Sequence, residues 1–309
     1  MSPLLQLLVG LVVLTVGAEI LVRGSSALAL RLGLSPLVVG LTVVAFGTSA
    51  PELVVSVQAA QRGSAAIAVA NVIGSNLCNL ALILGLCALA RPLTANHAVI
   101  RREVPLLIAA TLGASLLLLD HTLGRFEGAL LLGCLIALTV TTLRRARQET
   151  DQSYDHRPTR SPRLPLALLL TAGGLGLMVM GSDQFVDGAI IIARELGWSE
   201  KLIGLTIVAI GTSLPELAAS FVAVLKGEND VAIGNVLGSS IFNLLGILGV
   251  TGLVQAIHLP ELSLLDLGVL TGVTISVLPL VRSGGRITRA EGAGLLVVYF
   301  AYVTAALLD

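Results

Sequence analysis

A six-residue motif that ends in glutamate occurs twice in the sequence. It reads Gly-Thr-Ser-Ala-Pro-Glu at residues 47–52 and Gly-Thr-Ser-Leu-Pro-Glu at residues 211–216. Each copy lies inside a long apolar run, so we expect Glu52 and Glu216 at membrane depth. A carboxylate is costly to place in lipid and usually marks a functional site there. Two acids in matching places therefore predict one shared site within the membrane.

Hydroxyl and amide side chains accompany both acids at spacings that place them on shared helix faces. Thr48 lies four residues before Glu52, and Ser75 lies four residues before Asn79. Side chains four residues apart are neighbours on a helix surface. The polar residues expected around the site are Thr48, Ser49, Glu52, Asn71, Ser75, Asn79, Thr212, Ser213, Glu216, Asn235, Ser239 and Asn243. The first asparagine of each half could equally bridge two helices.

Two prolines interrupt the helices that carry the acids. Pro51 and Pro215 each remove a hydrogen-bond donor and free the carbonyl four residues earlier, on Gly47 and Gly211. Neighbouring carbonyls that could also turn toward a ligand are those of Ala45, Thr48, Ala209 and Thr212. Two carboxylates among neutral oxygens suit Ca2+, which takes 6–8 oxygen ligands, and the same oxygens could hold Na+. A soft metal is not predicted, because no Cys/His cluster accompanies the motifs.

The composition predicts an all-α membrane protein. The chain has 309 residues, of which 55% are hydrophobic and 12% charged, whereas a soluble domain carries about 25% charged residues. The net charge is zero, so no attraction to nucleic acid is expected. The lipid bilayer is the expected surrounding, and no obligate protein partner is inferred. The first apolar run is too long for a signal peptide and is interpreted as a span. The three cysteines are expected to be small packing residues.

Ten apolar runs approach or exceed the length that a membrane helix needs, about 20 residues. They lie near residues 4–29, 36–61, 66–90, 104–120, 125–143, 164–194, 200–226, 231–256, 263–281 and 289–307. A polar, arginine-rich stretch separates the fifth run from the sixth. The expected organisation is therefore a five-helix repeat at residues 1–143, a linker at 144–163 and a second five-helix repeat at 164–309.

The two halves align with each other directly. Residues 40–85 match residues 204–249 at a constant offset of 164 positions, with 24 identities in 46 positions and no gap. Shared glycine, proline, asparagine and serine at fixed spacing exclude a chance match of two apolar segments. Five spans per half bring the second half into the membrane from the opposite side, so the repeats are inverted. Inverted repeats are typical of secondary transporters, which bind their substrate near the midplane.

The basic residues predict the orientation of the chain, because lysine and arginine collect in cytoplasmic loops. With the N-terminus outside, fourteen basic residues fall in inner loops and four in outer loops, and Arg23 lies within the first span. We therefore expect both termini outside and a cytoplasmic linker with no binding role. Glu19 and Arg23 share a helix face and predict a salt bridge, with a role in ion access as the alternative. Asp183 and Asp187 stand at the corresponding positions of the second half.

The paired motif, followed by Gly-Asn-Val-Leu-Gly-Ser-Ser-Ile-Phe-Asn at residues 234–243, resembles the sodium/calcium exchangers of the cation/Ca2+ antiporter superfamily. The specific part of the resemblance covers residues 40–85 and 204–249, and the topology covers the whole chain. The short linker resembles that of prokaryotic members, which implies the cell (inner) membrane. The resemblance implies ten helices, exchange of several Na+ for one Ca2+, no cofactor besides the transported ions, and no enzymatic activity.

The resemblance also implies a role for each residue of the site. The Ca2+ site would be formed by Glu52, Glu216, Thr48 and Thr212. Na+ ligands would come from Ser49, Ser75, Ala45, Ser213, Ser239 and Ala209. The central position would be held by Asn79 and Asn243. Some relatives carry Asp where this chain has Asn243, so the resemblance weighs against K+ co-transport.

Three other functions stay open on the residues alone. A Ca2+/H+ antiporter is possible because protons could neutralise the two glutamates as Na+ does. Relatives of that kind usually have Asn where Thr48 and Ser49 stand, which disfavours this interpretation. A cation channel is disfavoured because channels line their pores with rings from several subunits. An intramembrane hydrolase is disfavoured because the shell of hydroxyls and amides favours ion coordination.

Overall fold

Helices make up almost all of the computed structural model, which describes residues 2–62, 65–152, 164–197, 209–258 and 264–308. The helices of the first half are α1 Pro3–Leu32, α2 Pro36–Val39, π1 Gly40–Val44, α3 Ala45–Thr48, α4 Ala50–Gln61, α5 Ala65–Leu77, π2 Cys78–Ile83, α6 Leu84–Ala90, π3 Val99–Glu103, α7 Val104–Leu117 and α8 Arg125–Gln152. Two short strands accompany them, β1 Leu93–Thr94 and β2 Thr122–Leu123. The π elements are stretches of wider helical winding that continue into the next α-helix.

The described elements of the second half follow the order of the first, except that no π element directly precedes α14. Its helices are α9 Leu164–Glu195, α10 Ala209–Thr212, α11 Leu214–Lys226, α12 Asn229–Ile241, π4 Phe242–Ile247, α13 Leu248–Val254, α14 Leu264–Arg282 and α15 Arg289–Leu308. Its strands are β3 Ile257–His258 and β4 Arg286–Ile287. Four pairs of corresponding elements begin 164 residues apart. The pairs are π2 and π4, α6 and α13, β1 and β3, and β2 and β4. The offset read from the motifs therefore extends to the elements themselves.

The strands join the two halves at opposite ends of the bundle. β1 pairs antiparallel with β4, placing Leu93 opposite Ile287, and β2 pairs antiparallel with β3, placing Leu123 opposite Ile257. We call the end that carries β1 and β4, together with the C-terminal end of α8, the linker face. Asn229 reinforces it by donating from Nδ2 to Thr94 Oγ1 at 2.8 Å.

Six helices in the described part of the chain are long and apolar enough to cross a membrane. They are Pro3–Leu32, Ile67–Ala90, Arg125–Ala146, Leu164–Glu195, Asn229–Val254 and Leu264–Arg282. The pair Pro36–Thr48 and Ala50–Gln61, bent by 45°, makes a seventh if it is counted as one span. Helices of this length and composition are those of an integral membrane protein.

The helix that contains the fifth predicted span continues beyond the apolar run. Residue 143 closes the apolar run, but α8 continues through Gln152, so that the first part of the polar linker is helical. The apolar residues stop where the helix leaves the lipid. The helix itself can continue, because arginine, glutamate and glutamine have a high helix propensity in water. Residues 153–163 of the linker lie outside the described part of the structure.

Small residues bring α1 and α9 into backbone contact along their length. A Cβ on Gly181 would lie 2.4 Å from the Leu14 nitrogen, and one on Gly174 would lie 2.5 Å from the Leu21 nitrogen. Glycine permits this approach because membrane helices associate by close packing rather than by a hydrophobic force between them. The two helices that begin the halves therefore form one tightly packed pair.

The helices that carry the asparagines occupy the centre of the bundle. The spans Ile67–Ala90 and Asn229–Val254 are 83% and 94% buried, whereas Arg125–Ala146 is 17% buried and faces outward. Of the cysteines, Cys78 and Cys87 are buried in packing positions, as expected, while Cys134 is exposed on α8. All three are free thiols.

Candidate functional site

Both motif copies break their helices at the serine. Ser49, with φ −82° and ψ 9°, separates α3 from α4, and Ser213, with φ −91° and ψ 7°, separates α10 from α11. Each proline then falls in the first turn of the following helix, where its missing N–H has no partner to lose. Glu52 and Glu216 thereby lie in the first turn of α4 and α11, where the positive end of the helix dipole stabilises a negative charge.

The two glutamates are fully buried and are held by each other's motif. Glu52 is 1% exposed and Glu216 is 0% exposed. Ser49 Oγ donates to Glu216 Oε1 at 2.7 Å, and Ser213 Oγ donates to Glu52 Oε1 at 3.1 Å. These crossed hydrogen bonds join residues 167 and 161 positions apart in the chain. The structure therefore brings both motif copies into a single site.

Several polar atoms of the predicted site residues are buried without a hydrogen-bond partner in the described part of the chain. They are Glu52 Oε2, Glu216 Oε2, Ser75 Oγ, and both side-chain polar atoms of Asn79 and of Asn243. Leaving such a group unpaired costs about 1–3 kcal/mol, and more for a charged oxygen. Native proteins leave few groups unpaired, and an ion is one of the standard explanations. The donor set, two carboxylate oxygens with hydroxyl and amide oxygens, fits a hard cation.

A second group of hydrogen bonds surrounds Glu216. Ser239 Oγ lies 3.4 Å from Glu216 Oε1 and 3.3 Å from the carbonyl oxygen of Ala45, to which it donates. Thr48 Oγ1 donates to Asn235 Oδ1 at 3.1 Å. The predicted residues Thr48, Ala45 and Ser239 thus lie together, on helices from both halves. Of the remaining predicted ligands, half-buried Thr212 ends α10, whereas Ala209 begins it and its side chain lies outside the described part of the structure.

The first asparagine of each half bridges two helices. Asn71 Nδ2 donates to the Glu52 carbonyl oxygen at 3.2 Å and to Ser56 Oγ at 2.9 Å. Asn235 Nδ2 donates to the Glu216 carbonyl oxygen at 3.3 Å and to Ser220 Oγ at 2.9 Å, the same pattern 164 residues later. The bridging alternative is therefore realised, and it holds the backbone of each glutamate. The supporting serines, 56 and 220, were missed, although their identity at the repeat offset was a usable signal.

One freed carbonyl behaves differently from the expectation. The carbonyl oxygen of Gly211 accepts a hydrogen bond from Ser182 Oγ at 2.9 Å, so it is paired within the protein rather than turned toward a ligand. Ser182 lies on α9 and is buried. The corresponding position of the first half is Ala18, which has no hydroxyl. This pairing depends on the packing of α9 against the broken helix, which local sequence does not reveal.

The central asparagines lie in regions of wider helical winding. Asn79 is the second residue of π2 and Asn243 is the second residue of π4. Such π turns are frequent at functional sites, because they displace a side chain from the regular α-helical stripe. The i, i+4 pattern placed these asparagines on a polar stripe but contained no signal for the change of winding.

The charges at the ends of the spans form ion pairs away from the site. Arg23 pairs with Glu19 on α1, as expected, and Lys226 Nζ also lies 2.9 Å from Glu19 Oε1. Asp183 and Asp187 are exposed on α9. Within the described residues, no group of three or more His, Cys, Asp or Glu side chains gathers. The site thus has two acids and a neutral oxygen shell, unlike a transition-metal site.

Fold and site together define a class of protein. It is an all-helical integral membrane protein in which two broken helices meet at a pair of buried glutamates. The sequence pattern of the family described as sodium/calcium exchanger protein matches residues 2–144 and 166–308. The chain belongs to the sodium/calcium exchanger family, whose members are transporters rather than enzymes.

Relatives match the chain over nearly its whole length. CaxA of Alkalimonas amylolytica is 42% identical over 308 residues, covering 96% of this chain and 95% of the relative. The sodium/calcium exchanger MaX1 of Methanosarcina acetivorans is 30% identical over 341 residues, covering 97% of each chain. The solved structure of the sodium-calcium exchanger NCX_Mj superposes with a TM-score of 0.87 at 30% identity, covering 98% of each chain. The similarity therefore extends over fold and sequence together.

Proposed function

We propose that this protein exchanges Na+ for Ca2+ across a membrane by alternating access at the site formed around Glu52 and Glu216. The observation that carries the proposal is the pair of buried carboxylates, each with one oxygen, Oε2, that has no hydrogen-bond partner in the described part of the chain. Family membership and the match to NCX_Mj support a cation/Ca2+ antiporter. The Ca2+ ligands in this proposal are Glu52, Glu216, Thr48 and Thr212.

The Na+ ligands in this proposal surround the same carboxylates. They are Ser49, Ser75, Ala45, Ser213, Ser239 and Ala209, with Asn79 and Asn243 at the centre. Ser49 and Ser239 already contact Glu216, so an ion bound by these hydroxyls shares that carboxylate with Ca2+. Na+ and Ca2+ then compete for one pair of charges. Competition for one site couples the two fluxes in opposite directions.

Obligatory exchange follows from the cost of an empty site. Without a cation, two negative charges would be buried in the interior of the bundle, which is unfavourable at membrane depth. The protein is then expected to change its open side only when it carries Ca2+ or Na+. No motion of a particular helix is required for this coupling, which originates in the two glutamates.

The proposed architecture is two inverted five-helix repeats, at residues 1–143 and 164–309, that contribute equivalent halves of the site. The common offset of the elements and the matched hydrogen bonds of Asn71 and Asn235 support it. In the proposed orientation both termini lie outside and the linker, residues 144–163, lies in the cytoplasm. The location is the inner membrane of a prokaryotic cell, with no protein partner required for transport.

The counter-ion is tested with purified protein in liposomes prepared without K+. Vesicles loaded with Na+ and diluted into Na+-free buffer that contains Ca2+ are expected to accumulate Ca2+. Vesicles with an imposed pH gradient and no Na+ are expected to accumulate none, because Thr48 and Ser49 favour Na+ coordination. Uptake driven by the pH gradient alone would instead establish the second candidate, a Ca2+/H+ antiporter, whose protons neutralise the same glutamates. Empty liposomes provide the leak control.

Removal of the Ser49 hydroxyl should weaken the site without eliminating it. Ser49→Ala deletes the 2.7 Å hydrogen bond to Glu216. A hydrogen bond to a charged group contributes about 1.5–3 kcal/mol, so we expect the KM for Ca2+ to rise roughly tenfold. The measurement is the initial rate of Na+-driven uptake against Ca2+ concentration. Ser25→Ala is the matched control, because Ser25 is equally buried and its hydroxyl donates to the Val22 carbonyl oxygen within α1, away from the glutamates. An unchanged KM in Ser49→Ala would contradict the assignment.

A further inference from the structure

A third buried carboxylate lies outside the repeated motifs, close to the linker face. Glu103, the last residue of π3, is 2% exposed. Its Oε1 accepts a hydrogen bond from Arg102 Nε at 2.7 Å. The Arg102 side chain is 23% exposed and the Glu103 side chain 3%, so the arginine lies nearer the surface. The carboxylate is thus buried next to a counter-charge that is more exposed than itself.

Glu103 lines a small cavity of about 30 Å3. A water molecule requires roughly 10–15 Å3 of such space, so the cavity has room for a water or a bare cation. Three hydroxyl residues line the same cavity, Thr42, Thr139 and Thr142. The polar groups come from three separate helical spans and converge on one space.

The cavity adjoins the candidate site through two of its lining residues. Phe46 and Gly238 line it, and their chain neighbours are Ala45 and Ser239. Ser239 Oγ donates to the Ala45 carbonyl oxygen at 3.3 Å and lies 3.4 Å from Glu216 Oε1. The polar cavity and the glutamate site therefore adjoin the same two helices, α3 and α12.

Three of the four polar residues that line the cavity, all except Thr42, have apolar residues at the equivalent positions of the second half. The offset of 164 places Leu267 opposite Glu103, Val303 opposite Thr139 and Ala306 opposite Thr142. Leu267 is buried like Glu103 but is apolar. Because the fold tolerates apolar residues at the equivalent positions, the repeat architecture does not require the carboxylate or the hydroxyls. A function on the linker side alone would explain the difference between the halves.

We propose that Glu103 is a cation relay on the route between the linker face and the central site. The inference rests on the proposed ion exchange. A cation that leaves water at the linker face would be met by the Glu103 carboxylate and the threonine hydroxyls, which replace part of its hydration shell. Arg102 neutralises Glu103 when no cation is present, and the cation takes over that pairing as it passes. Glu103 then governs ion entry from one side and leaves the central ligands unaltered.

The test compares Ca2+ entry from the two sides of the membrane. Inverted and right-side-out membrane vesicles are prepared from cells that express the protein, and cleavage of the linker by added protease identifies the preparation with an accessible linker face. The variant is Glu103→Gln, which keeps the size of the side chain and an acceptor for Arg102. We expect the KM for Ca2+ at the linker face to rise roughly fivefold, because a local negative charge concentrates the cation. The KM at the opposite face should stay within about twofold of the unmodified protein.

A matched control and two further outcomes make the test decisive. Glu127→Gln removes a part-buried acid from the start of α8, at the opposite end of the bundle, and should leave the KM at the linker face unchanged. Equal shifts at both faces in Glu103→Gln would indicate a purely structural role and overturn the relay, as would no shift at either face. Absence of Na+- or proton-driven Ca2+ uptake by the unmodified protein would instead refute the proposed exchange.

Discussion

Vesicles that contain Glu52→Gln or Glu216→Gln are expected to show no Na+-driven Ca2+ uptake. Each substitution keeps the shape of the side chain but removes one of two buried charges on which the cation depends. Loss of one partner from a buried charge interaction costs about 3–5 kcal/mol, which corresponds to a loss of affinity of at least about a hundredfold. Because the site is built equally from both motifs, the two variants should be similarly inactive. The measurement is Ca2+ accumulation in liposomes under an imposed Na+ gradient.

The control for this experiment is an acid outside the site. Glu195→Gln alters an exposed residue at the end of α9 and should transport normally. Size-exclusion profiles and thermal unfolding in detergent establish that each glutamine variant is folded. Folding is expected to be retained, because removal of a buried charge relieves repulsion between Glu52 and Glu216. Normal uptake by either glutamine variant would refute the two-glutamate mechanism.

A single methyl group at Gly181 should markedly destabilise the protein. In Gly181→Ala the new Cβ would stand 2.4 Å from the Leu14 nitrogen and 2.8 Å from the Leu14 Cα. Both obstacles are backbone atoms, so α1 and α9 must move apart to admit the methyl group. Overpacking of this kind costs about 1–3 kcal/mol, and here we expect about 3 kcal/mol, because no flexible side chain can absorb the displacement. The measurement is the free energy of unfolding in detergent.

Another glycine on α9, Gly176, provides a control for which the expected change in stability has the opposite sign. Among the residues that the structure describes, none outside the helix comes within 4 Å of a Cβ on Gly176, so Gly176→Ala adds its methyl group to open space. Alanine is favoured over glycine in a helix by about 1 kcal/mol, so this variant should be as stable as the unmodified protein or more stable. Similar destabilisation by both substitutions would show that the close α1–α9 contact is not the cause.

Prediction from sequence succeeded for features that depend on local order. The helical membrane class follows from the length and apolarity of the runs, and the breaks at Ser49 and Ser213 follow from the adjacent prolines. The salt bridge between Glu19 and Arg23 follows from their spacing on one helix. Hydropathy did not predict that α8 continues beyond the apolar run of the fifth span, because it reports contact with lipid rather than the end of a helix.

The supporting contacts of the site could not be predicted in this way. Ser182 reaches the Gly211 carbonyl from 29 residues away, and its equivalent in the first half, Ala18, has no hydroxyl. The repeat offset could predict only contacts that both halves share, such as those of Asn71 and Asn235. A contact present in one half is a consequence of packing, and periodicity contains no information about it.

The sequence by itself determined that two glutamates, repeated at a constant offset, lie in interrupted apolar helices. That information is local, because helix formation, helix breaking and membrane burial depend on runs of neighbouring residues. Only the tertiary structure decided that Ser49 pairs with Glu216 and Ser213 with Glu52, and that Glu103 lies beside a cavity adjoining their site. These contacts join residues far apart in the chain, and they exist only once glycine contacts and helix crossings have set the distances between helices.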